Sequence, residues 1–431
     1  MGQAGAVGVH RQFSRVGAAR VTARRGRGEG GACLRSMIRR PGRWRYRDSD
    51  KCMPASACAP RRARAAMRVA LPRYRLACPR RGDGRRRPYR SPVATPSFGT
   101  TMNARNDAMH ATRIEGPMAW TMDSLEPSSW RIPVPPAVTQ EILDMLQAMR
   151  RAPAPFQAYA PEQFELQQTR AFLRGPVRLV LDHGIGICVL DRLPTEQMTV
   201  DEARAVYWVF SSLLGRPVAQ KHNGNMMADV KDAGIPMKAG TAARGSTSRE
   251  LLEFHNDGAN TPRPPEYVGL LMLQEPKSGG LSRAFSVISG YNWLLEHHPE
   301  VLPRLYEDFA YFRMREHDPA EPACMVAPFL HVDKGVLKAR VGPYQMKSAF
   351  EMGEADMDDA TADAVAALDE LFAQDQLVAE FYMAPGQLQF VNNQVIVHSR
   401  TEFVDNDEEG KRRHLLRIWL RDQGDPSYNG R

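Results

Sequence analysis

The chain has 431 residues, of which 43% are hydrophobic and 8% aromatic, so it can bury a sizeable core. Its net charge of +9 is unevenly spread: residues 1–100 hold 24 Arg and Lys51 against Glu29, Asp48, Asp50 and Asp83, a surplus of 21 that leaves the other 331 residues at −12. Nucleic-acid or anionic-membrane binding inferred from overall basicity would therefore rest on the head alone, and no stretch approaches the roughly 18 continuous apolar residues of a membrane span.

Residues 1–125 form an Arg/Gly/Pro-rich head with no sustained apolar period, expected to be disordered and without catalytic role. Arg24-Arg25 and Arg39-Arg40 lack the apolar region that follows a twin-Arg export signal, whereas an Arg-rich, acid-poor transit peptide fits the same composition. Met102, Met109, Met118 and Met122 precede the first convincing element, so a shorter natural start is also an open reading. Cys188 and Cys324 are the only cysteines of the body, too few for a disulfide framework, which points to a reducing, cytoplasmic compartment.

The body, 126–425, is expected to become ordered near Trp130. Thr139 is a plausible N-cap for a helix ending near Arg151, with Ile142, Leu143, Leu146 and Met149 as its apolar stripe. Residues 177–190 read as strand, turn and strand around Gly184 and Gly186, and 200–214 as a helix stopped by Gly215 and Pro217. The polar, Gly-rich stretch 219–249 reads as a long functional loop. A buried strand is expected at 266–274, a turn at 276–280, helices at 292–309 and 358–375, a strand at 388–397, a charged turn at 405–411 and a last strand at 412–421. Many short strands with few helices fit a mainly β chain with flanking helices: a double-stranded β-helix, or jelly roll, of the cupin type.

Within Phe254-His255-Asn256-Asp257-Gly258, a strand would point His255 and Asp257 to one face. His398 follows 141 positions after Asp257. Two imidazoles and one carboxylate are the facial triad of non-haem Fe(II) oxygenases, which leaves the opposite face of the metal open. Taken singly, HxD occurs by chance, and His398 reads as an ordinary core histidine. The last strand adds weight. It places Arg413, Arg417 and Trp419 on one face and mostly apolar residues on the other. Buried guanidinium groups need partners, which structural acids or a bound dicarboxylate could supply.

Four motifs in order carry a resemblance over roughly residues 175–423: Glu253-Phe254-His255-Asn256-Asp257, Lys277-Ser278-Gly279-Gly280-Leu281-Ser282, the run from Phe390 to Thr401 around His398, and Arg412-Arg413-His414-Leu415-Leu416-Arg417. The chain resembles the taurine dioxygenase (TauD/TfdA-like) family of Fe(II)/2-oxoglutarate-dependent dioxygenases, which includes clavaminate-synthase-like enzymes. The resemblance implies His255, Asp257 and His398 as iron ligands. It implies Arg413 as the partner of the distal carboxylate of 2-oxoglutarate, with Ser282 where the family usually has Thr. Arg417 matches a position that meets the substrate's acidic group or assists the cosubstrate, and Asn260 is a further candidate to face substrate. Asn256 replaces the common Thr between the ligands.

The implied cofactor and cosubstrates are Fe(II), 2-oxoglutarate and O2. The implied chemistry converts 2-oxoglutarate to succinate and CO2 while a C–H bond is oxidised, by hydroxylation or desaturation rather than halogenation because Asp257 is present. The expected partner is a small organic acid or amino-acid-like molecule, with no nucleic acid and no membrane for the body; a homo-oligomer stays open. The alternatives are a non-catalytic jelly-roll protein binding a metal or small acid, and an Arg-rich nucleic-acid binder.

Overall fold

A computed structural model describes residues 110–234 and 245–430. The chain divides by contact into residues 1–95 and 96–431, and all described residues belong to the second unit. The head expected over 1–125 lies outside the described residues up to position 109.

Eleven strands make the two sheets that position the site: β1 (Arg131–Pro133), β2 (Ile187–Asp191), β3 (Arg216–Pro217), β4 (Met227–Val230), β5 (Leu252–His255), β6 (Tyr267–Gln274), β7 (Ser282–Ser286), β8 (Ala379–Phe381), β9 (Leu388–Asn392), β10 (Ile396–Arg400) and β11 (His414–Arg421). The large sheet runs β1-β2-β9-β6-β11-β3, with β4 also on β11; the small sheet runs β8-β7-β10-β5. All these pairs are antiparallel except β1 with β2.

Period-2 alternation gives the large sheet two buried faces. Ile187, Val189, Val268, Leu415 and Trp419 face the small sheet's Phe254, Phe285 and Val397, so one core fills the sandwich. Cys188, Leu190, Leu271, Leu416, Ile418 and Leu420 point the other way, onto the helices α1 (Pro136–Arg151) and α2 (Val200–Ser212). Gly269 marks the tightest point on β6: a Cβ there would collide with the Tyr207 hydroxyl and the Phe390 ring. The small sheet is covered by α3 (Val287–His297) and α4 (Asp359–Phe372). This is the expected double-stranded β-helix with flanking helices.

Residues 110–125 already belong to the packed domain, which also reaches past position 425. Trp120 is buried and its indole donates to the Ile185 carbonyl, while Asn292 exchanges hydrogen bonds with the backbone of Ile114. At the other end, the fully buried Arg421 guanidinium donates to the carbonyls of Asp425 and Ser427.

Several elements differ from the sequence expectation. Helix α1 starts at Pro136, in the first-turn position proline favours, and Thr139 lies inside it. Residues 178–182 are helical rather than a strand: Val177 and Leu181, four apart, are both fully buried in the helix-side core, and that spacing is helical. The expected helix at 292–309 is α3 started earlier by the Ser286 N-cap, then a short turn at Leu302–Leu305 behind Pro299, then a strand at Asp308–Phe312. The strand expected at 388–397 is two strands, β9 and β10, in different sheets. The loop at 219–249 contributes β4; its residues 235–244 lie outside the described residues.

Candidate metal centre

His255 ends β5, and His398 is the middle residue of β10. The two strands pair with His398 directly opposite His255, and their ring centroids are 4.5 Å apart. Residues far apart in sequence thus become cross-strand neighbours. Asp257 is not on the strand. β5 stops at His255, and Asp257 enters a turn in which Gly258 takes a φ of +70°, a conformation that suits glycine. That turn, rather than an i, i+2 strand placement, returns the carboxylate to the histidines. One donor atom from each of His255, Asp257 and His398 lies within 4.8 Å of the other two.

The three side chains are held in the states a metal needs. His255 Nδ1 is 2.8 Å from the Glu253 carbonyl, so the ring donates there and presents Nε2 inward, 3.4 Å from Asp257 Oδ1. Burial pushes His398 down to about 3, reinforced by the neighbouring His255, so its imidazole stays neutral near pH 7. Its Nδ1 has no hydrogen-bond partner among the described residues. Burial alone would raise the Asp257 pKa. The Arg417 charge leads the interactions that outweigh it, with His255 and His398 contributing, and the carboxyl is held well below the usual range. Two imidazoles and one carboxylate, converging within ligand reach of one another, fit a divalent iron.

Asp257 is fully engaged. Arg417 Nη1 donates to Oδ1 at 3.1 Å, and the Trp419 indole donates to Oδ2 at 2.8 Å. Arg417 Nε donates to Gln220 Oε1 at 2.9 Å, and the Gln220 amide returns a bond to the Arg417 carbonyl. Arg417, expected to face substrate or cosubstrate, is therefore committed to the candidate ligand and to Gln220.

Arg413 is the contrasting case. It precedes β11, whose register on β6 shifts between His414 and Leu415, so strict alternation does not carry back to it. Its side chain is buried, its Nε has no hydrogen-bond partner among the described residues, and its guanidinium lies 5.1 Å from the centre of the Phe403 ring. Burial brings its pKa down to about 9, with Arg400 adding to the effect. Gly280, at a φ of +70°, packs beside Arg413: a Cβ there would meet Pro276 at 3.0 Å and Arg413 Nε at 3.4 Å. A buried cation with an orphan donor fits the carboxylate of a dicarboxylate such as 2-oxoglutarate.

A cavity of about 470 Å³ opens beside the centre, lined in part by His255, Asp257, Asn260, Glu316, Lys347 and Arg417. Asn260 Nδ2 lies 3.5 Å from Glu316 Oε2. His398, Arg413 and the half-buried Ser282 are not among the lining residues. The sequence reading missed the helix Pro343–Glu351, which supplies Tyr344 and Lys347 to this wall; the signal was Gly342-Pro343, a proline at a helix start. It also missed Arg400, two residues after His398. The Arg400 guanidinium donates to the carbonyls of Gly245, Ser248, Arg249, Glu250 and Thr401 at 2.7–3.3 Å, holding the segment that forms one edge of the cavity.

The jelly roll, the two-histidine, one-carboxylate centre and the buried Arg413 define the non-haem iron, 2-oxoglutarate-dependent dioxygenases. The family described as "Taurine catabolism dioxygenase TauD, TfdA family" matches residues 150–419, more than half of the chain, and the protein belongs to it. Its relatives include FR-33289 synthase of Streptomyces rubellomurinus (strain ATCC 31215), 29% identical over 247 residues that span 56% of this chain and 70% of that one. The taurine hydroxylase-like protein SAT17 of Stachybotrys chartarum (strain CBS 109288 / IBT 7711) is 26% identical over 272 residues, 60% of this chain and 66% of that one. Two solved structures share the fold. Asparagine oxygenase in complex with Fe(II), 2S,3S-3-hydroxyasparagine and succinate aligns with a TM-score of 0.52 at 21% identity, covering 68% of this chain and 94% of that one. The non-heme iron oxygenase OrfP in complex with Fe and alpha-ketoglutaric acid aligns with a TM-score of 0.50 at 18% identity, with the same coverage. Among the described residues, no helix is long and apolar enough to cross a membrane.

Proposed function

We propose that this dioxygenase hydroxylates a C–H bond of a small organic acid or amino-acid-like molecule, with release of succinate and CO2. The observation that carries the reading is the convergence of His255, Asp257 and His398 on one point at the wall of a cavity of about 470 Å³. Both solved structures above have amino-acid products or substrates in their families of complexes, hydroxyasparagine in one and hydroxy-L-Arg in the other.

In this reading His255, Asp257 and His398 would hold Fe(II), which when bound lets O2, the oxidant, be used with 2-oxoglutarate to oxidise a C–H bond. Arg413 holds the distal carboxylate of 2-oxoglutarate, and the Ser282 hydroxyl donates to the same group. Arg417 and Trp419 keep Asp257 ionised and oriented. Asn260 and the polar wall around Glu316 and Lys347 orient a small polar substrate, and Arg417 reaches it where it borders the cavity. The carboxylate of Asp257 fills the position that a halogenating enzyme would leave to halide, which favours hydroxylation. The free thiols of Cys188 and Cys324 suit a cytoplasmic enzyme.

The test is succinate release with Fe(II), 2-oxoglutarate and a panel of amino acids and small organic acids. Stimulation by at least one panel member is expected, and His255→Ala should reduce release to background. Turnover of 2-oxoglutarate that survives in His255→Ala would overturn the ligand assignment.

A further inference from the structure

We infer that Asn256 and Asn393 are positioning residues: a pair of buried amides that clamps the segment carrying His255 and Asp257 to the segment leading into His398. The inference rests on the metal-ligand reading above and concerns how the chain fixes those ligands before any metal arrives.

The two asparagines are 3% and 1% exposed, and their side chains work reciprocally. Asn256 Nδ2 donates to the Asn393 carbonyl at 2.7 Å and to the Ile396 carbonyl at 2.9 Å, while its Oδ1 accepts from the Val341 amide at 2.8 Å. Asn393 Nδ2 donates to the Asp257 carbonyl at 2.8 Å and the Pro265 carbonyl at 3.1 Å, and its Oδ1 accepts from the Asp257 amide at 2.9 Å. Each side chain uses both N–H groups and its oxygen, so neither leaves a buried polar group unsatisfied.

The geometry has a specific consequence. Asn393 alone takes both backbone polar groups of Asp257, so the main chain of this ligand cannot turn about its position. Asn256, whose neighbours on either side are the two candidate ligands, grips the carbonyl of Ile396 at the start of β10, two residues before His398. The backbone of Asn256 adds a bond from its amide to the Val341 carbonyl at 2.8 Å. The β5–β10 ladder fixes one histidine against the other, but Asp257 lies beyond the end of β5, where the ladder no longer reaches. The clamp supplies the missing constraint.

The chemistry explains the residue type. Four acceptor carbonyls, those of Asn393, Ile396, Asp257 and Pro265, and two donor amides, those of Val341 and Asp257, face the two side chains, and only a side chain with two donors and an acceptor on one planar group meets each set. Aspartate has the same shape but no donor, and would set an anion against carbonyl oxygens. Threonine keeps one donor. Asn256 borders the cavity, but both of its side-chain donors and its acceptor are taken by backbone groups, as are those of Asn393, so the function is to hold, not to react.

The experiment compares metal affinity with stability. Apo-protein is titrated anaerobically with Co(II), read by its visible absorption, for wild type, Asn393→Ala, Asn256→Ala and the milder Asn256→Thr; thermal unfolding of each apo-protein is recorded alongside. Leu146→Ala serves as a control destabilised elsewhere, because Leu146 is buried in the helix-side core. Clamp variants are expected to lose roughly 10- to 100-fold in Co(II) affinity, the scale seen when groups that orient metal ligands are removed. Asn256→Thr should fall between wild type and Asn256→Ala, and Leu146→Ala should bind Co(II) as wild type does despite its lower melting temperature. If Asn256→Thr, Asn256→Ala or Asn393→Ala unfolds at lower temperature yet binds Co(II) with unchanged affinity, or if Leu146→Ala weakens binding equally, the clamp is refuted. Wild-type protein that binds no Co(II) removes the metal reading and the clamp together.

Discussion

Asp257 and Arg413 are both buried charges, and the fold treats them in opposite ways. Every oxygen of Asp257 has a donor from the protein, and the cation of Arg417 stands against it. Among the described residues, the Arg413 Nε has no hydrogen-bond partner, and its charged neighbours are the like-charged Arg400 and the acid Asp405, with the Phe403 ring beside it. The first site is balanced within the chain. The second is left incomplete, at a cost in stability, and a ligand carboxylate would complete it. A region that is balanced and one that is not respond differently to the same kind of substitution.

The largest contrast should come from replacing each arginine by methionine. Arg417→Met strands the Asp257 carboxylate in a buried site and should lower the unfolding free energy by about 3–5 kcal/mol. Arg413→Met removes an unpaired buried cation, so stability should hold or rise by about 1 kcal/mol, while KM for 2-oxoglutarate climbs roughly 30-fold or more. Urea unfolding and steady-state kinetics on both variants check this; equal destabilisation by the two would erase the distinction.

A half-buried histidine outside the centre gives the next effect. Burial brings His331 on the Leu330–Asp333 strand down to about 4, with Arg340 and Lys338 adding to it. The folded form stays neutral while the unfolded chain takes up a proton near 6.5, so this group costs stability as pH falls from about 6.5 to 4. The loss should reach about 3 kcal/mol by pH 4. His331→Gln should flatten that part of the stability–pH curve, and a curve that keeps its slope in the variant would assign the loss elsewhere. The smallest effect should be Trp419→Phe, which removes one of the donors to Asp257. About 1–3 kcal/mol of stability should be lost, with the other bonds to the carboxylate intact; calorimetry would reveal a neutral result if the indole is redundant.

The legibility of the sequence follows the same division between what is local and what is not. His255, Asp257 and His398 could be singled out because residue type and motif order mark them, and Arg413 because the last motif carries it; strand alternation does not reach Arg413, which precedes β11. The alternation along β11 correctly placed Arg417 and Trp419 together. What Arg417 would bond was not readable, since its partner lies 160 positions away and is itself one of the candidate ligands. The break between β9 and β10 was visible in Asn392-Asn393, turn residues inside an apolar run, yet a buried asparagine looks the same in sequence as an exposed one. Residues 177–182 misled because Val and Leu there satisfy a strand pattern, whereas the helix-side core takes Val177 and Leu181 at helical spacing. The cross-strand pairing of the two histidines, the fact that makes the centre, depends on sheet register and left no mark in either motif.

The hold of Arg400 on the rim of the cavity runs through main-chain oxygens. No side chain between 245 and 250 takes part in it. The identities of Ser246, Glu250 and Leu251 could therefore change without removing these bonds, and the side chains at this edge of the cavity could diversify on an unchanged backbone frame. Arg400 itself is the residue that such diversification has to leave in place.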